Sequence, residues 1–143
     1  MIAKVHSQAA LGIDPFPVEV EADVTPASGA DHSVFTVVGL PDAAVRESRE
    51  RVRPALRNSG YSLGQALMTI NLAPADMRKE GAYFDLAIAL AILAAAGHVR
   101  GERLSQYALL GELSLDGAVK PITGALTLAL GARRQGFRGV VAP

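Results

Sequence analysis

The segment of residues 71–97, NLAPADMRKEGAYFDLAIALAILAAAG, constrains the fold most because a strand, a charged loop and a helix follow each other with almost no slack. The helix is apolar on nearly every face, so we expect it at the centre of the core. A Lys-Glu-Gly turn at residues 79–81 leads into its first turn, where unpaired backbone N–H groups would suit an oxyanion or a phosphate. The layout is that of a reactive-site loop, but Tyr83, Phe84 and Asp85 stand where the reactive residue would be.

The composition restricts the classes of function. A chain of 143 residues, 50% hydrophobic and 20% charged, fits one domain with an ordinary core. Its 14 basic and 14 acidic side chains cancel, so binding to nucleic acid or to an anionic membrane requires a local patch. The absence of cysteine excludes disulfides, thiolate catalysis and cysteine-ligated metal sites. Without a signal peptide or a run of about 20 apolar residues, we expect a cytoplasmic chain that does not enter a membrane.

Periodicity and turn residues predict an α/β fold with a mixed sheet of five to seven strands and three helices packed on it. Within the helix predicted first, Pro54 predicts a kink, and Asp116-Gly117 predicts a hairpin turn. The last predicted strand stops at the chain end, so we expect a domain excised from a longer protein. The predicted strands are 2–11, 18–24, 33–38, 67–72, 107–113, 118–122 and 139–142, the helices are 43–58, 84–96 and 123–135, and the first loops are 12–17 and 25–32.

The second predicted strand and the first predicted helix each carry a charged face. In residues 18–24 apolar and acidic side chains alternate, which predicts one solvated face. In the helix, arginines recur at steps of three and four, which places their guanidinium groups on one face suited to a phosphate backbone. Glu47 and Glu50 flank this row, so a solvated or subunit-facing surface is the alternative. We call Arg46, Arg49, Arg53 and Arg57 the arginine row and treat it as the candidate DNA-binding site.

Four residues around the charged loop have alternative interpretations. Arg78 and Lys79 form a candidate anion-binding loop, although charged loop residues are more often solvated. For Tyr83 we favour a ring packed at the core edge with a locally satisfied hydroxyl over a functional hydroxyl. For Asp85 we favour a helix cap or a bond from Lys79 over general-base chemistry.

The other polar residues point to no cofactor. Three histidines, His6, His32 and His98, have no ligand spacing, so no metal site is predicted. The GxxxxGK[ST] motif is absent, so we expect no ATP site within this chain. Near the end of the last predicted helix, a smaller basic cluster is interpreted as complementing the helix dipole; it comprises Arg133, Arg134 and Arg138.

Three runs carry a resemblance to a known family: VVGLPDAAVRESRERVRPALRNSGY, NLAPADMRKEGAYFDLAIALAILAAAG and LLGELSLDGAVKPITGAL. Together they resemble the amino-terminal domain of the magnesium-chelatase-like AAA+ ATPases of the ComM/YifB competence-protein family. The resemblance covers nearly the whole chain. It implies a Lon-protease-like domain with a ribosomal-protein-S5 domain 2-like fold, followed by an ATPase module that this chain does not include. ATP and Mg²⁺ are expected in that module.

The similarity to Lon implies that the catalytic centre is degenerate. An active Lon domain has a serine nucleophile in a Lys-Asp-Gly-Pro-Ser-Ala-Gly loop and a lysine base on a later helix. In this chain Tyr83 stands at the serine position and Leu128 at the lysine position. With both members of the dyad replaced, we expect no proteolysis and assign no catalytic residue.

The resemblance also implies a role. The full-length relatives resemble hexameric ATP-driven motors that act on branched DNA during recombination in natural transformation. This domain would then be a non-enzymatic platform that assists ring assembly and contacts DNA. One alternative is a pure oligomerisation module, in which the arginine row pairs with acidic residues of a neighbouring copy; another is a cryptic hydrolase with an unforeseen serine nucleophile. The acidic residues are Glu19, Glu21 and Asp23, and the serines are Ser33 and Ser62.

Overall fold

A long antiparallel hairpin lies at the centre of the sheet in the computed structural model, which describes residues 1–28 and 33–143. Strand β1 (Ile2–Leu11) pairs with β2 (Asp14–Pro26) along its full length, and only Gly12 and Ile13 form the turn. The predicted loop at 12–17 is therefore too long. The predicted polar loop at 25–32 starts within β2, and residues 29–32, including His32, lie outside the described residues.

The start of β2 was not predicted from the sequence because it contains two prolines. Pro15 and Pro17 have no N–H, which normally argues against a strand. The N–H of Val24 donates to the carbonyl of Met1 on the β1 side, so strand alternation directs the nitrogens of Pro15 and Pro17 to the other side. Strand β4 (Ala66–Ala73) pairs with β2 only from Glu19 onward, so no donor is missing at either proline.

The sheet has six strands in the order β3-β4-β2-β1-β5-β8, with antiparallel and parallel pairs, which confirms the predicted mixed sheet. A separate two-stranded hairpin, β6-β7, has Asp116-Gly117 in its turn, as predicted. The strands are β3 (Val34–Val38), β4 (Ala66–Ala73), β5 (Tyr107–Leu109), β6 (Glu112–Leu113), β7 (Val119–Lys120) and β8 (Gly139–Val141).

The strand predicted at 107–113 is wrong as a single element. The chain leaves the sheet after β5 because Gly111 bonds to the loop and helix that precede it in sequence. Its N–H donates to the carbonyl of Tyr83 at 2.9 Å, and its carbonyl accepts the N–H of Leu86 at 3.0 Å. A Cβ at Gly111 would lie 2.5 Å from Val119, so only glycine fits this crossing.

The helix predicted at 43–58 is divided in two. Asp42 caps the first part through the N–H of Val45, at 2.8 Å. The interruption falls at Glu47, whereas the second part continues through Pro54, where the sequence predicted a kink. The helices are α1 (Ala43–Arg46), α2 (Ser48–Asn58), α3 (Asp85–Ala95) and α4 (Ala125–Arg134), and a 3₁₀ turn spans Leu104–Gln106.

Helices α3 and α4 pack on opposite faces of the central hairpin. Helix α3 covers the face of Val5 and Val20, and Ile88 and Ile92 on α3 are fully buried there, which confirms the predicted central helix. Helix α4 covers part of the other face, where Gln135 bonds Gln8 of β1. No helix among the described residues is long and apolar enough to cross a membrane.

Beyond the area that α4 covers, the second face of the sheet is charged. Lys4 lies 3.7 Å from Glu19 and 3.6 Å from Glu21, and both carboxylates project from β2 away from α3. Asp23 lies on the same face, half-exposed. These positions confirm the solvated face predicted from the alternation in residues 18–24.

Gly131 sets how closely α4 approaches the hairpin. A Cβ there would lie 2.4 Å from Cβ of Pro15 and 3.1 Å from Oε1 of Gln8. We expect Gly131→Ala to lower the free energy of unfolding by about 1–3 kcal/mol, because overpacking outweighs a helix-propensity gain of about 1 kcal/mol. Urea denaturation measures the change. Gly101→Ala is the control, because its Cβ would meet only Ala94 at 3.4 Å; equal stability of the two variants would contradict the expected clash.

Candidate nucleic-acid interface and degenerate loop

Lys79 is completely buried, so its predicted role in an anion-binding loop is wrong. Its ammonium group donates to the carbonyl of Gly39 at 2.7 Å and to the carbonyl of Pro74. Its backbone also bridges to the loop before α1: its N–H donates to Leu40, and its carbonyl accepts from Asp42, each at 3.0 Å. Lys79 therefore ties the loop before α3 to the loop before α1.

The surroundings of Lys79 and Arg78 exclude a shared anion site. Burial lowers the pKa of Lys79, and Asp76 only partly opposes that effect. Arg78 is 68% exposed and lies 3.5 Å from Glu80. The backbone N–H of Leu86 at the start of α3, which could have met an anion, already donates to Gly111. This donor of the helix entrance is thus occupied by the protein itself.

Asp85 is the centre of a buried polar network, not a partner of Lys79. Its carboxylate accepts from Nε of Arg51 at 2.6 Å and from the hydroxyl of Ser48 at 2.5 Å. It also accepts the backbone N–H of Leu113 at 3.1 Å. The predicted helix cap is wrong as well, because the N-cap position of α3 is Phe84 and has no side-chain cap. The network joins α2, α3 and β6.

Arg51 was missed by the sequence analysis because it looks like its neighbours in an arginine-rich helix. Its guanidinium group also donates to the carbonyl of Ala44 at 3.0 Å, and its bond to Asp85 raises its pKa. The sequence signal that could have identified it was the position of Arg51 around the helix axis. Arg51 lies three residues after Ser48 and next to the buried stripe of Val52 and Ala55, which points it inward.

Tyr83 lies in the loop before α3, half-buried, with its ring 4.7 Å from that of Phe84. Burial, with smaller contributions from Glu80 and Asp42, raises the pKa of its hydroxyl to about 12. The hydroxyl therefore stays protonated near neutral pH, and among the described residues no side-chain hydrogen bond brings a base to it. Leu128 is buried on α4, on the other face of the hairpin. The two positions compared with the Lon dyad therefore lie in the loop before α3 and on α4, and these two helices pack on opposite faces of the hairpin.

The arginine row lies on the surface formed by α1 and α2. Arg46, Arg49 and Arg57 are exposed, and Arg53 is half-buried with its guanidinium carbon 5.9 Å from the ring centre of Phe35. Arg49 donates to the carbonyl of Arg46 at 3.2 Å. None of the four lies within salt-bridge distance of a carboxylate in residues 1–28 and 33–143.

The remaining polar candidates form no catalytic or metal arrangement among the described residues. Ser33 accepts the N–H of Ala66 at 3.2 Å, and Ser62 is exposed. The ring of His6 packs 5.3 Å from Phe137, and that of His98 lies 5.6 Å from Tyr61. No group of three His, Asp or Glu residues in the described part of the chain could hold a metal ion. Arg133 and Arg134 lie in the last turn of α4, and Arg138 follows it.

A mixed sheet with a buried central helix that follows a glycine-containing loop defines a Lon-like α/β domain. A family model described as "Subunit ChlI of Mg-chelatase" matches residues 20–143, and the chain belongs to this magnesium-chelatase-like family. YifB of Escherichia coli strain K12 is 44% identical over 138 residues, which are 96% of this chain and 26% of YifB.

Two further proteins similar to this chain are a competence protein and a Lon protease. Competence protein ComM of Haemophilus influenzae is 37% identical over 134 residues, covering 94% of this chain and 26% of ComM. Lon protease of Chloroflexus aurantiacus is 34% identical over 118 residues, covering 76% of this chain and 14% of the protease. The chain thus spans about a quarter of the length of YifB and ComM.

The network around Asp85 predicts a large loss of stability on substitution. Asp85→Asn leaves Arg51, whose side chain is only 18% exposed, beside a neutral amide, and removing one partner of a largely buried ion pair costs about 3–5 kcal/mol. We expect a loss in this range in the free energy of unfolding, measured in urea. Glu47→Gln is the control, since Glu47 is the exposed partner of Arg51 at 3.6 Å and should cost less than about 0.5 kcal/mol. Similar losses in both variants would contradict the central role of Asp85.

The contacts and the lowered pKa of Lys79 predict that its substitution lowers the free energy of unfolding, by an amount that depends on pH. Lys79→Met leaves two buried carbonyls without their donor, at a cost of about 1–3 kcal/mol, whereas the exposed Arg78→Met should be nearly neutral. Because the folded pKa is lowered, the folded state binds fewer protons than the unfolded state between that pKa and 10.5. The stability difference between wild type and Lys79→Met should therefore grow as the pH rises through this window. Urea titrations at several alkaline pH values test this, and a constant difference would contradict it.

Proposed function

We propose that this chain is a non-catalytic platform domain of a ComM-like AAA+ ATPase that moves DNA branches, and that it assists ring assembly and contacts DNA through the arginine row. The similarity to ComM, which is named as a competence protein, supports a role in handling DNA. ATP and Mg²⁺ would be bound by an ATPase module outside this chain. The working assembly would be a homo-oligomer, a hexamer by analogy with ring-forming motors of this class.

The arginine row, without a carboxylate partner in residues 1–28 and 33–143, is the observation that carries the DNA contact. Within α2, Arg51 pairs with two acidic side chains: Asp85 inside the protein and Glu47 at the surface. The guanidinium groups of the row have no such partner among the described residues, so they keep their capacity for charge-assisted hydrogen bonds to phosphate oxygens. A local positive face of this kind can attract DNA although the net charge of the chain is zero.

The loop before α3 supports the non-catalytic part of the proposal. The hydroxyl of Tyr83 has a pKa of about 12, and Lys79, the nearest lysine in the loop, is buried against backbone carbonyls. A general base must lie within hydrogen-bonding reach of the nucleophile that it activates. The side chain at the second dyad position, Leu128, has no proton-accepting atom.

A pure oligomerisation module is the second candidate. In that case the arginine row would pair with Glu19, Glu21 and Asp23 of a neighbouring copy. Glu19 and Glu21 already face Lys4, Asp23 lies 3.8 Å from the terminal ammonium group of Met1, and Glu21 also accepts from Asn71 at 3.1 Å, so part of their charge is neutralised within the chain. A phosphate backbone is therefore the better partner for the row.

Charge reversal in the row should weaken DNA binding. We expect Arg49→Glu/Arg53→Glu to lower the affinity for a fluorescein-labelled oligothymidylate by at least about tenfold, measured by anisotropy between about 50 and 200 mM salt. The slope of log affinity against log salt should become shallower by about 1.4, since each phosphate contact with a single strand contributes about 0.7. Light scattering on the same samples reports the oligomeric state.

Two matched double variants show how a loss of DNA binding is to be interpreted. Arg133→Glu/Arg134→Glu makes the same charge change on exposed residues of α4 and should leave the slope unchanged. Because Arg53 also packs on Phe35, Arg46→Glu/Arg57→Glu repeats the test with two exposed arginines. Equal losses in the α4 variant would indicate a non-specific charge effect. No DNA binding by the folded wild type, together with a defined oligomer that the row variants disrupt, would favour the oligomerisation module.

A further inference from the structure

An open groove lies at the carboxyl end of α2, beside the arginine row. Its volume is about 410 Å³, within the range of about 300–1,000 Å³ usual for small-ligand sites. Arg53 and Arg57 line one part of it, and Tyr61 belongs to the loop that lines another. Arg53 is therefore shared between the row and the groove.

The groove is electrostatically suited to a phosphate group. Two guanidinium groups line it, and none of its described lining residues is acidic. The carbonyls at the end of α2 would repel an anion if they were free. They are instead capped: Ala55, Leu56 and Arg57 accept the N–H groups of Ser59, Tyr61 and Gly60, at 3.0, 3.0 and 3.1 Å respectively.

The base of the groove is apolar, and its rim is accessible. Leu56 and Met68 are almost fully buried at its base, and the half-buried ring of Tyr61 lies above the core. No hydrogen bond from the hydroxyl of Tyr61 to another described residue is present. At Gly60 and Gly64 an added Cβ would meet nothing within 4 Å, so the rim formed by this loop is open. An aromatic surface beside two cations is the combination that binds the base and the phosphate of one nucleotide.

We propose that this groove receives one unstacked nucleotide of a single strand, with its phosphate between Arg53 and Arg57 and its base against Tyr61. The proposal rests on the DNA contact proposed above and adds a preference for single strands. A paired base is stacked inside a duplex and cannot enter the groove without being extruded. A strand that follows the row reaches the groove at Arg53, so phosphate contacts along α2 would place a nucleotide at its rim.

The test compares oligothymidylate with an abasic deoxyribose-phosphate strand of equal length and charge, and with duplex DNA, by anisotropy at constant salt. We expect the oligothymidylate to bind about tenfold more tightly than the abasic strand, because one base stacks on an aromatic ring. Tyr61→Leu, which keeps an apolar side chain above the core, should remove that difference and leave the affinity for the abasic strand unchanged. Tyr107→Leu replaces another half-buried tyrosine, outside the groove, and should keep the difference.

The outcomes separate this proposal from the proposed function. If the abasic strand binds as tightly as the oligothymidylate, or if Tyr61→Leu leaves their difference intact, the groove proposal fails while backbone binding by the arginine row stands. If no strand binds, the DNA contact itself fails. A titration with thymidine monophosphate tests the source of the nucleotide: we expect much weaker binding than to the strand, and equal affinity would overturn the assignment to a polymer.

Discussion

The ion pair between the fully buried Asp85 and the largely buried Arg51 is the interaction on which the arrangement of the helices depends. Burying a charge costs several kcal/mol in desolvation. This cost is offset only when the ion pair has good geometry and additional hydrogen bonds. Here Ser48, the N–H of Leu113 and the carbonyl of Ala44 supply those bonds. If α2 and α3 moved apart, the carboxylate of Asp85 would be left without its guanidinium partner. The pair therefore specifies how α2 lies against α3.

The same pair determines which arginines of α2 reach solvent. Successive helical residues rotate by about 100°, so residues two positions from Arg51 lie roughly on the opposite side of the helix. Arg49 and Arg53 are at those positions, and they lie on the outer side, beside Phe35 of β3. The candidate DNA-binding surface is thus a consequence of a structural contact inside the protein, because turning one guanidinium inward turns its neighbours outward.

The loop before α3 shows how a reactive-site layout can be used for structure. Lys79 bonds the carbonyl of Gly39 in the loop before α1 and that of Pro74 in its own loop, and Gly111 bonds the N–H of Leu86 and the carbonyl of Tyr83. Both features stabilise a crossing of three chain segments. They also occupy the N–H of Leu86 in the first turn of α3, a donor that an oxyanion could otherwise have met.

The sequence by itself determined the α/β class, the central apolar helix, the solvated face of β2 and the hairpin at Asp116-Gly117, because these follow from periodicity and turn chemistry within a few residues. Only the tertiary structure decided the roles of single polar side chains. Lys79, Arg51 and Asp85 look like surface charges in the sequence, but Lys79 and Asp85 are fully buried and Arg51 largely so, beside partners that are distant in the chain. The start of β2 at its two prolines was likewise decided by which edge of the strand remains unpaired. Local patterns encode the elements, but a side chain's partner is set by packing between elements.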